Sequence, residues 1–244
     1  MDSGPTIDDL ILVTPPSRDI ERDAVAAAWS ARGGEVLRVD RFWDPPEVDT
    51  SKVRIYGPHT FALVLQEVWP IELVSPPDEL VLGLEEPHLG RRIGCCRLDE
   101  VGDLSFPVFA KPLVSKLFEA AVHDDPAALA RETDGLDADT AIIWSDPTPF
   151  SSEVRIFALG RAVHGAAAYE GSVPDLAGAV DRATQVLQVI RYDGPLVIDV
   201  GEISPGTWAV IEFNEAWGAG LNGCEADRCL PVIAAATAPT TDSA

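Results

Sequence analysis

The sequence predicts a mixed fold in which a small α/β unit with a parallel sheet precedes a longer, strand-rich α+β part. Strand and helix patterns alternate over residues 10–68, and two strand–turn–strand patterns follow at 151–171 and 195–215. The chain has 244 residues, of which 46% are hydrophobic. That size suits one large domain or two to three small ones, each with its own core.

The N-terminal unit opens with an apolar strand, LILVTPP at 10–16, that ends at two prolines. A helix is predicted at 21–34, where ERDAVAAAWSARGG has early acids, central alanines and a terminal Gly-Gly. Strands at 35–40 and 53–57 continue the alternation, which favours a parallel sheet. Because no G-x-G-x-x-G follows the first strand, we do not expect dinucleotide binding.

The middle of the chain is predicted to leave this unit and to build a second sheet. The segment SPPDELVLGLEE at 75–86 fits a helix that has proline at its start. The segment GRRIGCCRLDEVGDL at 90–104 then leads out of the first unit. FPVFAKPL at 106–113 is a strand that contains a lysine, and TAIIWSDP at 140–147 is a strand stopped by Asp-Pro.

The C-terminal part is predicted to hold two hairpins and two helices. Residues 151–171 form two strands around Gly160-Arg161, and 174–190 has the helical period. The strands PLVIDVGEI and TWAVIEFNE are joined by SPG, whose Pro-Gly suits the centre of a tight turn. CLPVIAAA at 229–236 is a short helix or a tail.

Charge and composition narrow the expected partners and location. The net charge is −22, from 40 acids and 18 bases, and such a field repels nucleic acid and anionic membranes. The sequence shows no run of 18 apolar residues and no signal pattern at its acidic start, so we expect a cytoplasmic protein. The four cysteines lack zinc-site spacing and are expected to be reduced thiols.

The last hairpin is predicted to bring three oxygen-bearing side chains together. If Pro-Gly forms the turn centre, Asp199 lies opposite Glu212 and points to the same face. Asn214 shares that face, while Ile211 and Phe213 share the other. A magnesium site is one interpretation, because Mg²⁺ takes a few carboxylates plus waters and phosphate oxygens. A solvated acidic strand face is the other, and the residues alone leave both open.

Each of two basic residues in apolar strands is explained either by a bound ligand or by an ordinary ion pair. Lys111 needs an anion, which is either a phosphate or an acidic neighbour. Arg155 follows Glu153 on one strand face and is suited to hold a phosphate or carboxylate bidentately. A cross-strand pair with a glutamate explains Arg155 at least as well, and an ordinary ion pair explains Lys111 better.

Taken together, the order of these features resembles the ATP-grasp superfamily: a strand lysine, SDP after a strand, E-x-R, a helix, D-V-G and E-x-N. FPVFAKPLVSKLF and VIDVGEISPGTWAVIEFNEAWGAGLNGC are similar to small bacterial ATP-grasp proteins of the clade named for one arginine and two lysines. The resemblance covers residues 90–235, and the N-terminal unit more loosely. It implies an α+β ATP-grasp fold of two subdomains, 99–147 and 148–244, preceded by a small Rossmann-like pre-ATP-grasp domain, 1–98.

The resemblance also implies how ATP is held. Lys111 and Lys116 would contact the phosphates or the adenine edge. Trp144, Ser145 and Asp146 would form the hinge between the subdomains. Backbone groups of this hinge would hold the adenine, and the Asp146 carboxylate would suit a ribose hydroxyl.

The implied chemistry is that of an ATP- and Mg²⁺-dependent carboxylate–amine ligase that forms an amide through an acyl-phosphate. Arg155 would steady the γ-phosphate or the acyl-phosphate, with Lys116 as the second catalytic candidate. Asp199, Glu212 and Asn214 would bind Mg²⁺. The substrates would be a small molecule or peptide with a carboxylate and an amine acceptor, whose identities no motif specifies.

Two other functions stay open. A kinase-like enzyme would transfer phosphate without forming an amide, and a non-catalytic module would bind ATP without turnover. The segment KLFEAAVHDD after the lysine strand lacks the glycine-rich loop that covers the phosphates in many superfamily members. The lack of this loop favours the non-catalytic ATP-binding module. The sequence does not indicate the oligomeric state.

Overall fold

The computed structural model describes residues 6–114 and 117–240. Its helices are α1 Ile20–Ala31, α2 His59–Val68, α3 Glu86–Leu89, α4 Pro126–Glu132, α5 Ala177–Val189 and α6 Ala226–Ala235. Its strands are β1 Ile11–Thr14, β2 Glu35–Arg38, β3 Val53–Ile55, β4 Ile71–Leu73, β5 Ile93–Arg97, β6 Val108–Pro112, β7 Ala121–His123, β8 Ala141–Ser145, β9 Glu153–Leu159, β10 Ala162–Glu170, β11 Pro195–Ser204, β12 Thr207–Asn214 and β13 Thr237–Pro239. Within the described ranges, no helix is both long and apolar enough to cross a membrane.

The N-terminal sheet is parallel and has the strand order β2-β1-β3. Helix α1 begins at Asp19, whose carboxylate accepts hydrogen bonds from the backbone N–H groups of Glu21 and Arg22. Its apolar face buries Val25 and Trp29 completely. This N-cap supports the start of the helix, because it satisfies donors that have no partner within the helix.

The second sheet is antiparallel, with the order β5-β8-β6-β7. Strand β5 lies in the segment that the sequence predicted as a connection, because IGCCR carries little apolar alternation. It pairs with β8 from Ile93 opposite Ser145 to Arg97 opposite Ala141. The expected boundary after residue 98 therefore separates β5 from its pairing partners.

The third sheet, also antiparallel, has the order β10-β9-β11-β12 and contains both predicted hairpins. Gly160 and Gly206 adopt positive φ angles of 58° and 78° at the two hairpin turns. Such angles cost glycine little because it has no Cβ. Helix α5 packs on one face of this sheet, where Ala183 and Leu187 are fully buried.

The other face of the third sheet shares one core with the N-terminal unit. Phe157 of β9 and Val197 of β11 belong to the same buried cluster as Trp29 of α1 and Leu230 of α6. All four side chains are fully buried. The N-terminal unit and the C-terminal sheet therefore form one continuous hydrophobic body.

The prediction of a helix at 75–86 is wrong. Leu80–Gly83 forms one turn of 3₁₀ helix, and α3 is a separate single turn. Pro76 and Pro77 hold the start of the segment away from helical geometry, because each proline restricts the residue before it.

Candidate active site

A cavity of about 240 Å³ lies between the second and third sheets. Strands β5, β6 and β8 supply one wall, and β12 supplies the opposite one. Apolar side chains line most of the cavity and polar groups line the rest, as in pockets for small organic ligands. Its principal lining residues are Ile93, Phe109, Ile143 and Ile211, with Lys111, Glu153 and Glu212.

A continuous row of five polar side chains starts in the lining of this cavity. The Lys111 ammonium lies 2.9 Å from Glu212 Oε2. Asn214 Nδ2 donates to Glu212 Oε1 at 3.1 Å and to Asp199 Oδ2 at 3.0 Å. Arg155 donates to both oxygens of Asp199, from Nε at 2.9 Å and from Nη2 at 2.6 Å. We call these five residues the polar row.

The predicted pairing of Asp199 with Glu212 is confirmed. It survives two irregularities between this pair and the turn: β11 has one extra residue at Ile203, and β12 has one at Ile211. The two register shifts cancel, so the register at Asp199 is unchanged. The expectation that Ile211 faces away from Glu212 is wrong, because the bulge lets both side chains line the cavity.

The bulge is supported by a residue that no sequence pattern singled out. Arg91 is only 9% exposed. Its guanidinium donates to the carbonyl oxygens of Val210 and Ile211, at 2.8 and 3.0 Å, and to that of Leu89 at 3.0 Å. The two bonds to β12 give carbonyl groups at the bulge of this edge strand a donor from outside the sheet.

Arg155 is positioned by the C-terminal loop as well as by Asp199. Its Nη1 donates to the carbonyl oxygen of Gly220 at 3.0 Å. Glu21, in the first turn of α1, accepts hydrogen bonds from the backbone N–H groups of Leu221 and Asn222, at 2.9 and 2.7 Å. The first helix thus fixes the loop that orients the arginine, an arrangement that no local motif predicts.

Burial and charge act differently on the two carboxylates. Burial raises the pKa of Asp199, and the hydrogen bonds from Arg155 only partly offset it. Burial would also raise the pKa of Glu212, but the Lys111 charge and the hydrogen bonds from Lys111 and Asn214 outweigh it and lower that pKa. Glu212 is therefore ionised at neutral pH. The polar row places two cations beside two acids, so it offers contacts to phosphate and to a metal ion alike.

The predicted hinge residues meet the cavity only in part. Ser145 and Asp146 line it. Trp144 points to the other face of its strand, where its ring covers Gly94 closely enough that a Cβ there would lie 2.7 Å away. Asp146 is engaged by Arg92, which donates to its two oxygens at 2.9 and 2.7 Å.

The donor chemistry of the predicted metal residues fits Mg²⁺. A carboxylate offers about four lone-pair sites. Asp199 uses three of its sites and Glu212 uses two, so both retain acceptor capacity. Asn214 donates to both carboxylates through Nδ2, and no described side chain donates to its amide oxygen. No group of three His, Cys, Asp or Glu suited to a metal occurs in residues 6–114 and 117–240, so phosphate and water would have to complete the shell. Lys116 lies outside the described residues.

A second cavity, of about 390 Å³, adjoins the polar row from the other side. It shares Lys111 and Glu212 with the first cavity and extends to His59 and Trp217. The His59 and Trp217 rings lie 5.4 Å apart between centroids. Trp217 Nε1 donates to Ser75 Oγ at 2.9 Å. Two separate cavities thus meet at Lys111 and Glu212.

Comparison with solved structures identifies the fold. An ATP-grasp RimK domain protein from Sphaerobacter thermophilus superposes with a TM-score of 0.58 at 17% identity, covering 93% of this chain and 96% of that one. The ATP-grasp ligase PsnB, solved with precursor peptide PsnA2 and AMPPNP, gives 0.55 at 13% identity, covering 95% and 98%. An N5-carboxyaminoimidazole synthase from Aspergillus clavatus, solved with ADP and 5-aminoimidazole ribonucleotide, gives a TM-score of 0.60 at 10% identity. The match covers 93% of this chain and 77% of that one.

Sequence comparison identifies the family. Among curated protein sequences, none matches this chain significantly. A family model for an ATP-grasp domain, family 2 of the clade named for one arginine and two lysines, matches residues 88–232, more than half of the chain. The predicted resemblance is confirmed, and the protein belongs to this arginine-and-two-lysines clade of ATP-grasp proteins.

Proposed function

We propose that the protein is an ATP- and Mg²⁺-dependent ligase that joins a carboxylate to an amine. The observation that carries this proposal is the position of the polar row, at the junction of an apolar cavity between two sheets and a second cavity. A nucleotide base fits the apolar cavity. Its phosphates would reach Lys111 and Arg155, and a second substrate would approach from the other side.

In this proposal each member of the polar row has a role. Asp199, Glu212 and Asn214 hold Mg²⁺, which neutralises phosphate charge when bound. Lys111 contacts a phosphate oxygen in place of its present partner Glu212. Arg155 presents a planar, permanently charged donor to the transferred phosphoryl group, or to the acyl-phosphate.

The other predicted contacts complete the nucleotide site. Lys116 contacts phosphate together with Lys111, and Ser145 and Asp146 border the ribose and adenine. Backbone groups of Trp144 contribute to the hinge, while its ring stays on the far face. Asp146 Oδ1 accepts only one of the three hydrogen bonds from Arg92, so it keeps acceptor capacity for a ribose hydroxyl.

The chemistry proposed is two successive substitutions. A substrate carboxylate oxygen attacks the γ-phosphorus of ATP, and ADP leaves. An amine then attacks the acyl carbon, the C–N bond forms, and phosphate departs with the former carboxylate oxygen, while the amine loses a proton. Positioning and electrostatic stabilisation supply the catalysis, so no side chain has to act as nucleophile. Several structural neighbours are ligases by name, among them PsnB and the D-cycloserine synthetase DcsG, which supports this class.

We also propose that the N-terminal parallel sheet is the Rossmann-like pre-ATP-grasp domain of this protein. Its three parallel strands and its contact with the second cavity through His59 support the assignment. The subdomains would then be the β5–β8 sheet and the β9–β12 sheet. The pairing of β5 with β8 supports a start of the first subdomain before β5, earlier than residue 99.

Calorimetry of ATP binding with and without Mg²⁺ tests the nucleotide site. Wild type should bind ATP tightly only when Mg²⁺ is present. Glu212→Gln combined with Asn214→Ala should abolish the Mg²⁺ effect, while Glu170→Gln, an exposed site on β10, should not. If wild type binds no nucleotide under either condition, the proposal is wrong.

A non-catalytic ATP-binding module is the second candidate. Its support is the absence of glycine from residues 113–125, where many ATP-grasp proteins close a glycine-rich loop over the phosphates. Incubation with ATP, Mg²⁺ and pools of amino acids and peptides separates the candidates. ADP with an amide product indicates the ligase, and ADP with a phosphorylated product indicates a phosphotransferase. Mg²⁺-dependent ATP binding with no ADP from any pool indicates the module.

A further inference from the structure

A larger cavity, of about 650 Å³, lies away from the polar row. The segment before β1, the end of α6 and strand β13 enclose it. Its walls are mostly apolar and include Leu10, Leu159, Pro231 and Ala234, while Arg32 and Arg54 supply its basic groups and Asp8 supplies a carboxylate. None of these side chains lines either cavity beside the polar row, so this is a separate site.

Arg54 of β3 is the unusual group in this cavity. It is 6% exposed. Its Nη1 donates to the backbone carbonyl oxygens of Ser51 and Val53, at 3.2 and 2.6 Å. Its Nε is buried and has no hydrogen-bond partner in the described part of the chain. Guanidinium stays protonated in proteins, so Arg54 brings a positive charge into an apolar surrounding.

No carboxylate among the described residues pairs with that charge. Arg155 is similarly buried but has Asp199. Arg32, which also lines this cavity, is half exposed and already paired with Asp227 at its rim. A buried charge without a counter-ion costs several kcal/mol. Asp8 lines the same cavity, but it is exposed and accepts a hydrogen bond from Thr6 Oγ1, and within the described residues it forms no ion pair with Arg54.

We propose that this cavity binds a small organic monoanion, with a carboxylate held by Arg54 and an apolar body packed against Leu159, Pro231 and Ala234. The guanidinium fork matches a carboxylate in geometry and charge. The cavity volume falls within the range of small-molecule sites. The apolar walls disfavour inorganic phosphate, which would leave most of its oxygens without donors. This site is independent of the nucleotide site and does not rest on the proposed function.

Hexanoate titrated calorimetrically into the full chain is the test, with hexan-1-ol and hexylamine as neutral and cationic matches. Wild type should bind hexanoate saturably, and should bind both other probes at least about tenfold more weakly, because a charged hydrogen-bonded pair is lost. Arg54→Met should weaken hexanoate binding by a similar factor. Arg41→Met removes an exposed arginine of the same unit and should leave binding unchanged.

A second variant covers the chance that Arg54→Met fails to fold. Ala234→Phe keeps the arginine and fills the space for the apolar body, so it should abolish hexanoate binding. Thermal melting and far-ultraviolet circular dichroism show whether each variant remains folded. Absence of hexanoate binding to wild type, equal binding of hexan-1-ol, or unchanged binding in both variants would overturn the proposal.

Discussion

The ion pair between Arg155 and Asp199 is expected to show strong energetic coupling. The two side chains are 13% and 2% exposed and share two hydrogen bonds. Arg155→Met leaves a buried carboxylate whose one remaining side-chain donor, among the described residues, is Asn214, so it should lower the free energy of unfolding by about 3–5 kcal/mol. Asp199→Leu leaves the Arg155 guanidinium without a carboxylate partner and should lower the free energy of unfolding by a similar amount. The double variant leaves no unpaired charge and should cost less than either single change.

Urea unfolding at pH 7, followed by tryptophan fluorescence without nucleotide, measures this coupling. The matched control is Arg92→Met, which breaks a bidentate arginine–aspartate pair exposed at 63% and 34%. That change should cost less than about 1 kcal/mol. Single-variant costs at Arg155 and Asp199 that add within about 0.5 kcal/mol in the double variant would refute the reasoning. The result also shows how far loss of activity in Arg155 variants reflects loss of structure.

Three further predictions concern single sites. Arg91→Met removes the donor to three carbonyl oxygens, so the free energy of unfolding measured in urea should fall by about 3 kcal/mol. A loss below about 1 kcal/mol would mean that the bulge does not need the arginine. Gly94→Ala places a Cβ 2.7 Å from the Trp144 ring and should cost about 1–3 kcal/mol, seen as a lower melting temperature, unless the ring can move away. Burial, with the neighbouring Cys95 and Glu100, raises the pKa of Cys96 to about 11. Because only the thiolate reacts, its alkylation by iodoacetamide should rise about tenfold per pH unit between pH 8 and 10, and a rate that levels off near pH 9 would contradict that pKa.

The register of the last hairpin was predictable because it depends on local chemistry. Pro-Gly fixes the turn, and counting outward from it pairs Asp199 with Glu212. The two bulges depend on partners from elsewhere in the chain, such as Arg91 beneath Ile211, and no local pattern encodes such partners. The prediction that Asp199 and Glu212 are neighbours succeeded only because the two register shifts cancel.

The direction of the Trp144 side chain was predictable from the sequence, whereas strand β5 and the role of Glu21 were not. Ser145 and Trp144 are consecutive in β8. Because side chains alternate along a strand, the two lie on opposite faces and only one of them can line the cavity. Strand β5 carries too few apolar residues to be recognised and becomes a strand through pairing with β8. The role of Glu21 is invisible in sequence, because its partners lie some 200 positions away.

The core shared by α1, α6 and the third sheet makes residues 88–232 an incomplete folding unit, although the family model matches that segment alone. A fragment lacking the first 87 residues would expose the buried face that Phe157, Val197 and Leu230 present to Trp29. It would also lose the Glu21 contact that fixes the loop behind Arg155. The N-terminal unit therefore stabilises the segment that the family model matches. Substitutions on the buried face of α1 should alter the orientation of an arginine that they never touch.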